Sequence, residues 1–456
     1  MNTRIIQIFI AASMLAIFAY PNRAQEETKL QSDKLAQTRY TVTDLGLVGP
    51  SPGPLVITND GLIAESVAVS NEWHAAISFL GKTQVDLAKA GGLGGPNSAA
   101  FGVNELGQVA GEAETAEYNS EDFCAYGTQQ VCAAFIWQNG VMRALPLLKD
   151  ENGVAGRNAG AKGINISGQV AGVAENTTPD STCPPYDPAL LQYQKYQFKP
   201  VIWTNSETGQ LPTAGIDSKG KAFNDPDGVV FRINDSGLAV GATGTCAGFT
   251  GFFYLNALHA TLWRNGSVID LGNLGGTGPQ PPLGSGNLAY YVNSSGQVVG
   301  TSGTSGGLQH AFFWSRETLI QDVGTILGDV ASVGLSISDL GDIGGVSFPA
   351  GSLEAVPTAS PRAFIRPKGG KMVDLNSLIP SDSELYLFST CSINSRGEII
   401  GLAFDTQGNF HGYLATPTDG AVDSSDASSV AIRSSRFEYA WKVLRDRLGP
   451  FRAGPR

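Results

Sequence analysis

The chain is poor in charge. Only 16% of its 456 residues are Asp, Glu, Lys or Arg, against about 25% in an average soluble domain, which argues against coiled coils, helical solenoids and charge-rich disorder. There are four histidines, and the five cysteines form no Cys-x-x-Cys or Cys/His cluster, so no structural metal site is expected. Beyond residue 24 no apolar run is long enough for a bilayer. The Gly-x-Ser-x-Gly elbow of serine hydrolases is missing too, since Gly284–Gly286 lies in a proline-rich stretch.

What is abundant is glycine, 57 residues, beside a 42% hydrophobic share that suffices for a core. Residues 1–24 read as a signal peptide: Arg4, then Ile5–Tyr20 broken only by Gln7 and Ser13, then Ala19 or Ala24 as cleavage positions. An uncleaved anchor is the alternative. Export permits disulfides. Cys124 and Cys132 share one insertion, Cys183 and Cys246 lie in two adjacent ones, and Cys391 sits in an apolar strand as an expected buried thiol. The net charge of −11 makes nucleic acid an improbable partner.

Periodicity carries the fold. An Asn-x-x-Gly turn recurs seven times: TNDGLIAE, NELGQVAG, NISGQVAG, NDSGLAVG, NSSGQVVG, SDLGDIGG and NSRGEIIG, with the glycine at Gly61, Gly107, Gly168, Gly237, Gly296, Gly341 and Gly397. Asn, Ser or Thr first and Gly fourth suit a type I turn closed by a left-handed glycine. A strand such as HATLW, HAFFW or HGYLA follows each turn, and then one ending in Asp-Leu, such as VIDLG or MVDLN. Four short strands per copy predict a propeller blade. The seventh copy lacks its Asp-Leu strand and the first is preceded by a spare one, Tyr40–Gly46. The expected fold is all-β: one seven-bladed propeller of four-stranded antiparallel blades over 40–417, closed by the N-terminal strand. A linear β-array is the alternative. Residues 25–39 and 418–433 read as linkers. Residues 434–456 read as a basic tail whose Phe437, Trp441, Leu444 and Leu448 would share one face of a short helix, suited to docking on the ring or attaching to a partner, with binding to an anionic surface as the alternative.

The GQVVG turn, the HAFFW strand and the Asp-Leu-Gly strand together resemble the HAF-repeat family of probable extracellular bacterial proteins, from about Tyr40 to Pro417. The resemblance implies an extracellular repeat protein and brings no established activity or catalytic residues to carry over. NELGQVAG and NSSGQVVG are also similar to the RCC1-type propeller turn, a second choice because that family lacks the His-Ala-Phe strand.

His74, His259, His310 and His411 all open a third strand, where His310 shares a side with Phe312 and Trp314; a structural role is expected. The strands preceding the turns, read as innermost, contain no Asp or Glu, only Lys162 and Arg232, so carboxylate catalysis over the channel is disfavoured. Asn224–Gly228 reads as an ordinary turn rather than a calcium loop, because Phe223 replaces the first ligand. The turn glycines are spaced 46, 61, 69, 59, 45 and 56 residues apart. The excess falls mainly between second and third strands, which predicts a crown of loops on one face, raised mostly by copies two to four. It carries Tyr118, Phe123, Tyr126, Tyr186, Tyr193, Tyr196, Phe249, Phe252, Phe253 and Tyr254, with Cys124, Cys132, Cys183 and Cys246. Aromatics on long loops at one face mark binding; burial against the ring is the alternative. The reading is an exported, non-catalytic monomeric ring, secreted, periplasmic or at the cell surface, without cofactor or metal, that binds or scaffolds an extracellular glycan or protein. The rivals are a carbohydrate-active hydrolase or lyase using Asp122, Glu175 or Asp187, and a purely structural envelope protein.

Overall fold

A computed structural model describes residues 38–48, 55–89, 92–183, 194–205, 207–246, 255–276, 286–352 and 359–418. The leader and the C-terminal tail lie outside these. Seven four-stranded antiparallel sheets follow one another along the chain. In blade 5 the strands Leu288–Val292, Val298–Gly303, Gln309–Ser315 and Leu319–Gly324 pair in sequence order. The first strands of neighbouring blades touch one another all round the ring, which places them innermost. Among the described residues no helix is long and apolar enough to cross a membrane.

The repeat has a packing reason. All seven turn glycines have φ between 71° and 101°, a region a side chain would strain. Gly300, the second glycine of its copy, pairs with Phe312 of the third strand. A Cβ on Gly300 would stand 1.9 Å from the Leu288 carbonyl and 2.7 Å from the Phe312 ring. Phe135, Trp203, Phe364 and Tyr413 lie against the equivalent glycines of their blades. In blades 2, 5, 6 and 7 the third-strand aromatic is thus the partner of the second glycine, in blade 3 Trp203 takes its place from two residues on, and burying such a ring supplies about 1.5–3 kcal/mol.

The asparagine that starts five of the seven turns does two jobs. In Asn234 the side-chain oxygen accepts from the amides of Ser236 (3.1 Å) and Leu238 (3.0 Å). Its Nδ2 donates to the Asn293 carbonyl of the next blade at 2.9 Å. Asn104, Asn165, Asn293 and Asn394 repeat this step to the following blade, and Asn394 reaches the Thr58 carbonyl across the join.

Closure is as expected from the ends. Arg39–Leu47 is the outer strand of blade 7, antiparallel to Phe410–Thr418, with Arg39 opposite Thr418 and Leu47 opposite His411. The Tyr40 amide donates to the Leu378 carbonyl at 2.9 Å, and Tyr40 is buried with Leu375, Leu378 and Ile379.

Six inner strands carry a β-bulge at the residue three before the turn: Phe101, Lys162, Phe231, Tyr290, Leu335 and Cys391. Phe101, Lys162 and Cys391 are buried, whereas Phe231, Tyr290 and Leu335 keep partial exposure.

Candidate functional site

The second-to-third-strand connections of blades 2, 3, 4 and 6 are the long ones, as the spacing indicated: 119–129, 180–195, 247–254 and 350–361. The third copy also spends its excess on a hairpin, Ala214–Ile216 with Ala222–Asn224, between blades 3 and 4. The spacing gave length and could not divide it.

Loop 119–129 is fixed from several sides. The Glu121 amide donates to Asn119 Oδ1 (3.1 Å), the Gly127 amide to Asp122 Oδ2 (2.7 Å), and the Asn119 amide to the Gln129 carbonyl (2.7 Å). The Cys124–Cys132 disulfide ties the loop to the third strand of its own blade. Asp122, Ala125 and Gln129 are held at φ of 46°, 61° and 55°, left-handed conformations that persist only where the surroundings over-determine them. Phe123 is 0% exposed, packed edge-on to Phe198 at 5.2 Å, so this ring is core and not contact surface. It packs in one apolar cluster with Cys132, Val173, Phe198 and Val229. Tyr126 and Tyr196 are half-buried, and Tyr118 is 64% exposed. Tyr186, Tyr193, Phe249, Phe252, Phe253 and Tyr254 lie outside the described residues.

The second loop is joined to its neighbours on both sides. Cys183 and Cys246 form a disulfide between blades 3 and 4, and Lys195 Nζ donates to Ser120 Oγ at 2.8 Å. Cys391 is a free, buried thiol, as its strand suggested. Two groups, Glu112 with Cys124 and Cys132 and Asp180 with Cys183 and Cys246, gather three potential metal donors. Their sulfurs are tied up in the two disulfides.

Two acidic pairs each join a loop residue, Glu121 or Asp180, to an acid on a strand, Glu175 or Asp227. Glu121 and Glu175 are 2% and 1% exposed, and Asn158 Nδ2 donates to both, at 3.0 and 3.2 Å. Burial, then the Glu121 carboxyl beside it, pushes Glu175 up to about 9. Asp227 accepts from the Phe198 amide at 2.8 Å and is pushed up to about 8 by burial and then Asp180. Asp122 is fully buried, and Asp187 lies outside the described residues. Paired acids are therefore present, and Glu121, Glu175 and Asp227 are each 2% exposed or less. They also correct one expectation. The inner strands of blades 4 and 6 begin at Asp227 and Asp329, one or two residues before the acid-free stretches read from sequence, because backbone pairing extends to Gly244 and Pro349. Nor is Asn224–Gly228 an open turn, since Asp225 and Asp227 are both buried as it enters that strand.

Each histidine meets an aspartate through Nδ1: His74 with Asp86 (2.8 Å), His310 with Asp322 (2.9 Å) and His411 with Asp44 (2.8 Å). In these three blades the partner is the aspartate of the Asp-Leu strand, so two halves of the repeat that the sequence showed separately are one contact. In blade 4, His259 turns to Asp225 at 2.8 Å and stacks on Phe223 at 4.1 Å. The histidines thus meet their surroundings through a hydrogen bond more than through the apolar side expected for His310.

No family model matches the chain, and no curated relative does. Solved structures similar to it include the β-propeller domain of the Trilobed protease from Pyrococcus furiosus, at 9% identity and TM-score 0.43, covering 85% of this chain and 99% of that one. Streptogramin B lyase aligns at 9% identity and TM-score 0.41, covering 83% and 98%. Oligogalacturonate lyase from Vibrio parahaemolyticus aligns at 10% and 0.39, covering 84% and 94%. The likeness is one of fold.

Proposed function

We propose that the chain is an exported, non-catalytic binding module whose crown over blades 2–4 contacts an extracellular glycan or protein. The observation that carries this reading is Tyr118, an exposed ring at the base of a loop stapled by a disulfide and by left-handed residues that are not glycine. A surface held that rigidly loses little entropy on binding. Tyr126 and Tyr196, both half-buried, belong to the same crown. Two disulfides and the apolar leader support export. The coupling of the His-Ala-Phe strand to the Asp-Leu strand and the second glycine supports membership of the HAF-repeat proteins.

The test is a glycan array and a pull-down with the secreted chain, repeated with Tyr118→Ala and with residues 184–193 replaced by a short Gly-Ser linker. That replacement spares Cys183 and Phe198, which the fold uses. A ligand retained by the parent should be lost by at least tenfold in both variants, with unfolding midpoints unchanged. Equal binding by both variants would remove the crown from the account.

A further inference from the structure

Arg232 is an odd residue for its place. It lies on the inner strand of blade 4, 8% exposed, in a chain of net charge −11, yet no described carboxylate pairs with it. Its neighbour Lys162 does have one, Glu112 Oε2, at 2.7 Å, so that pair is neutral and Arg232 keeps its charge. The guanidinium donates through Nη1 to the carbonyls of Lys162 and Phe231 and stands 5.6 Å from the Tyr291 ring centre. Its Nε, buried, has no hydrogen-bond partner among the described residues. A buried cation and an unmet donor both cost stability. The residue two before the turn, which is Arg232 in blade 4, is Tyr291, Ser336 and Ser392 in blades 5, 6 and 7. The hydroxyls of Ser336 and Ser392 are likewise buried without a described partner. In blades 1–3 the same level holds Val56, Gly102 and Gly163, which offer no side-chain donor.

We propose that the central channel binds one small inorganic anion of halide size on Arg232. The guanidinium supplies charge and the Nε donor, and the serine hydroxyls stand at the same level of the ring. Phe231, Tyr290 and Leu335, one residue earlier on the inner strands of blades 4, 5 and 6, are partly exposed.

The probe is chloride, exchanged for gluconate at constant ionic strength while thermal unfolding is followed. The midpoint of the parent should rise by about 2 °C at a tenfold excess over Kd. Arg232→Met should lose that dependence, and the exposed-site control Lys221→Met should keep it. Should Arg232→Met not fold, crystals of the parent soaked in sodium bromide decide: anomalous density at hydrogen-bond distance from Nε supports the site. A chloride-independent midpoint in the parent, or water alone at Nε, overturns it, and phosphate binding in place of chloride rejects the halide size.

Discussion

Asn234 shows what a single residue in this chain says and what it hides. Its position in a turn was legible, because the turn is local and its chemistry repeats. The donation from its Nδ2 to the neighbouring blade was not, since the receiving carbonyl is 59 residues away and nothing local requires it. Thr58 and Ser338 fill the same turn position without an amide to donate, so spacing alone gave no hint of a ring of clasps. Buried acids were hidden for a related reason. Glu175 sits in the strand Val170–Pro179, where nothing local points to a second acid, and only the fold brings Glu121 beside it. Its proton has a measurable consequence. Below about pH 4.5 both folded and unfolded chains hold it, and above about 9 neither does. Between those limits only the folded chain does, so this contribution to stability is complete on the acid side and is lost as pH rises through about 9. Glu175→Gln carries no such proton. Its unfolding midpoint, followed from pH 5 to 9, should fall less steeply than that of the parent; parallel curves would mean that Glu175 is ionised in the fold.

At the scale of elements, strand count and order were readable because each blade repeats the same glycine, aromatic and aspartate. Loop direction was not. The length of 119–129 is set by spacing, but Phe123 turning inward depends on Phe198, which belongs to another blade. The short hairpin at Ala214–Asn224 was missed because a three-residue strand has too few positions to show alternation. The two disulfides divide the crown into unequal tasks. Cys124–Cys132 spans 8 residues of sequence and Cys183–Cys246 spans 63. By loop-closure entropy, removing the first should cost about 2.5 kcal/mol and removing the second about 4 kcal/mol. Urea unfolding of the two double-alanine variants reads that order directly, and a reversed order would show that local strain, not chain entropy, governs the crown.

The whole molecule rests on its ends meeting. Three separate contacts hold the join: the outer strand of blade 7, the Asn394 clasp onto Thr58, and Ser395 donating its amide to Asn59 Oδ1 at 2.8 Å. The sequence showed the first through its missing and spare strands, while the other two needed coordinates. Closure also orients the rest, because it fixes which strands are innermost, which face carries the long loops, and why Arg232 stands at an axis. The most direct measurement is a cross-link between two solvent-side residues that face one another across that join, Thr41 and Thr416. In the double variant Thr41→Cys, Thr416→Cys, a closed ring forms the new disulfide within one molecule, in high yield, while the offset variant Thr43→Cys, Thr416→Cys does not. A chain that stays unlinked, links between molecules, or prefers the offset pair is not a ring shut by its N-terminal strand.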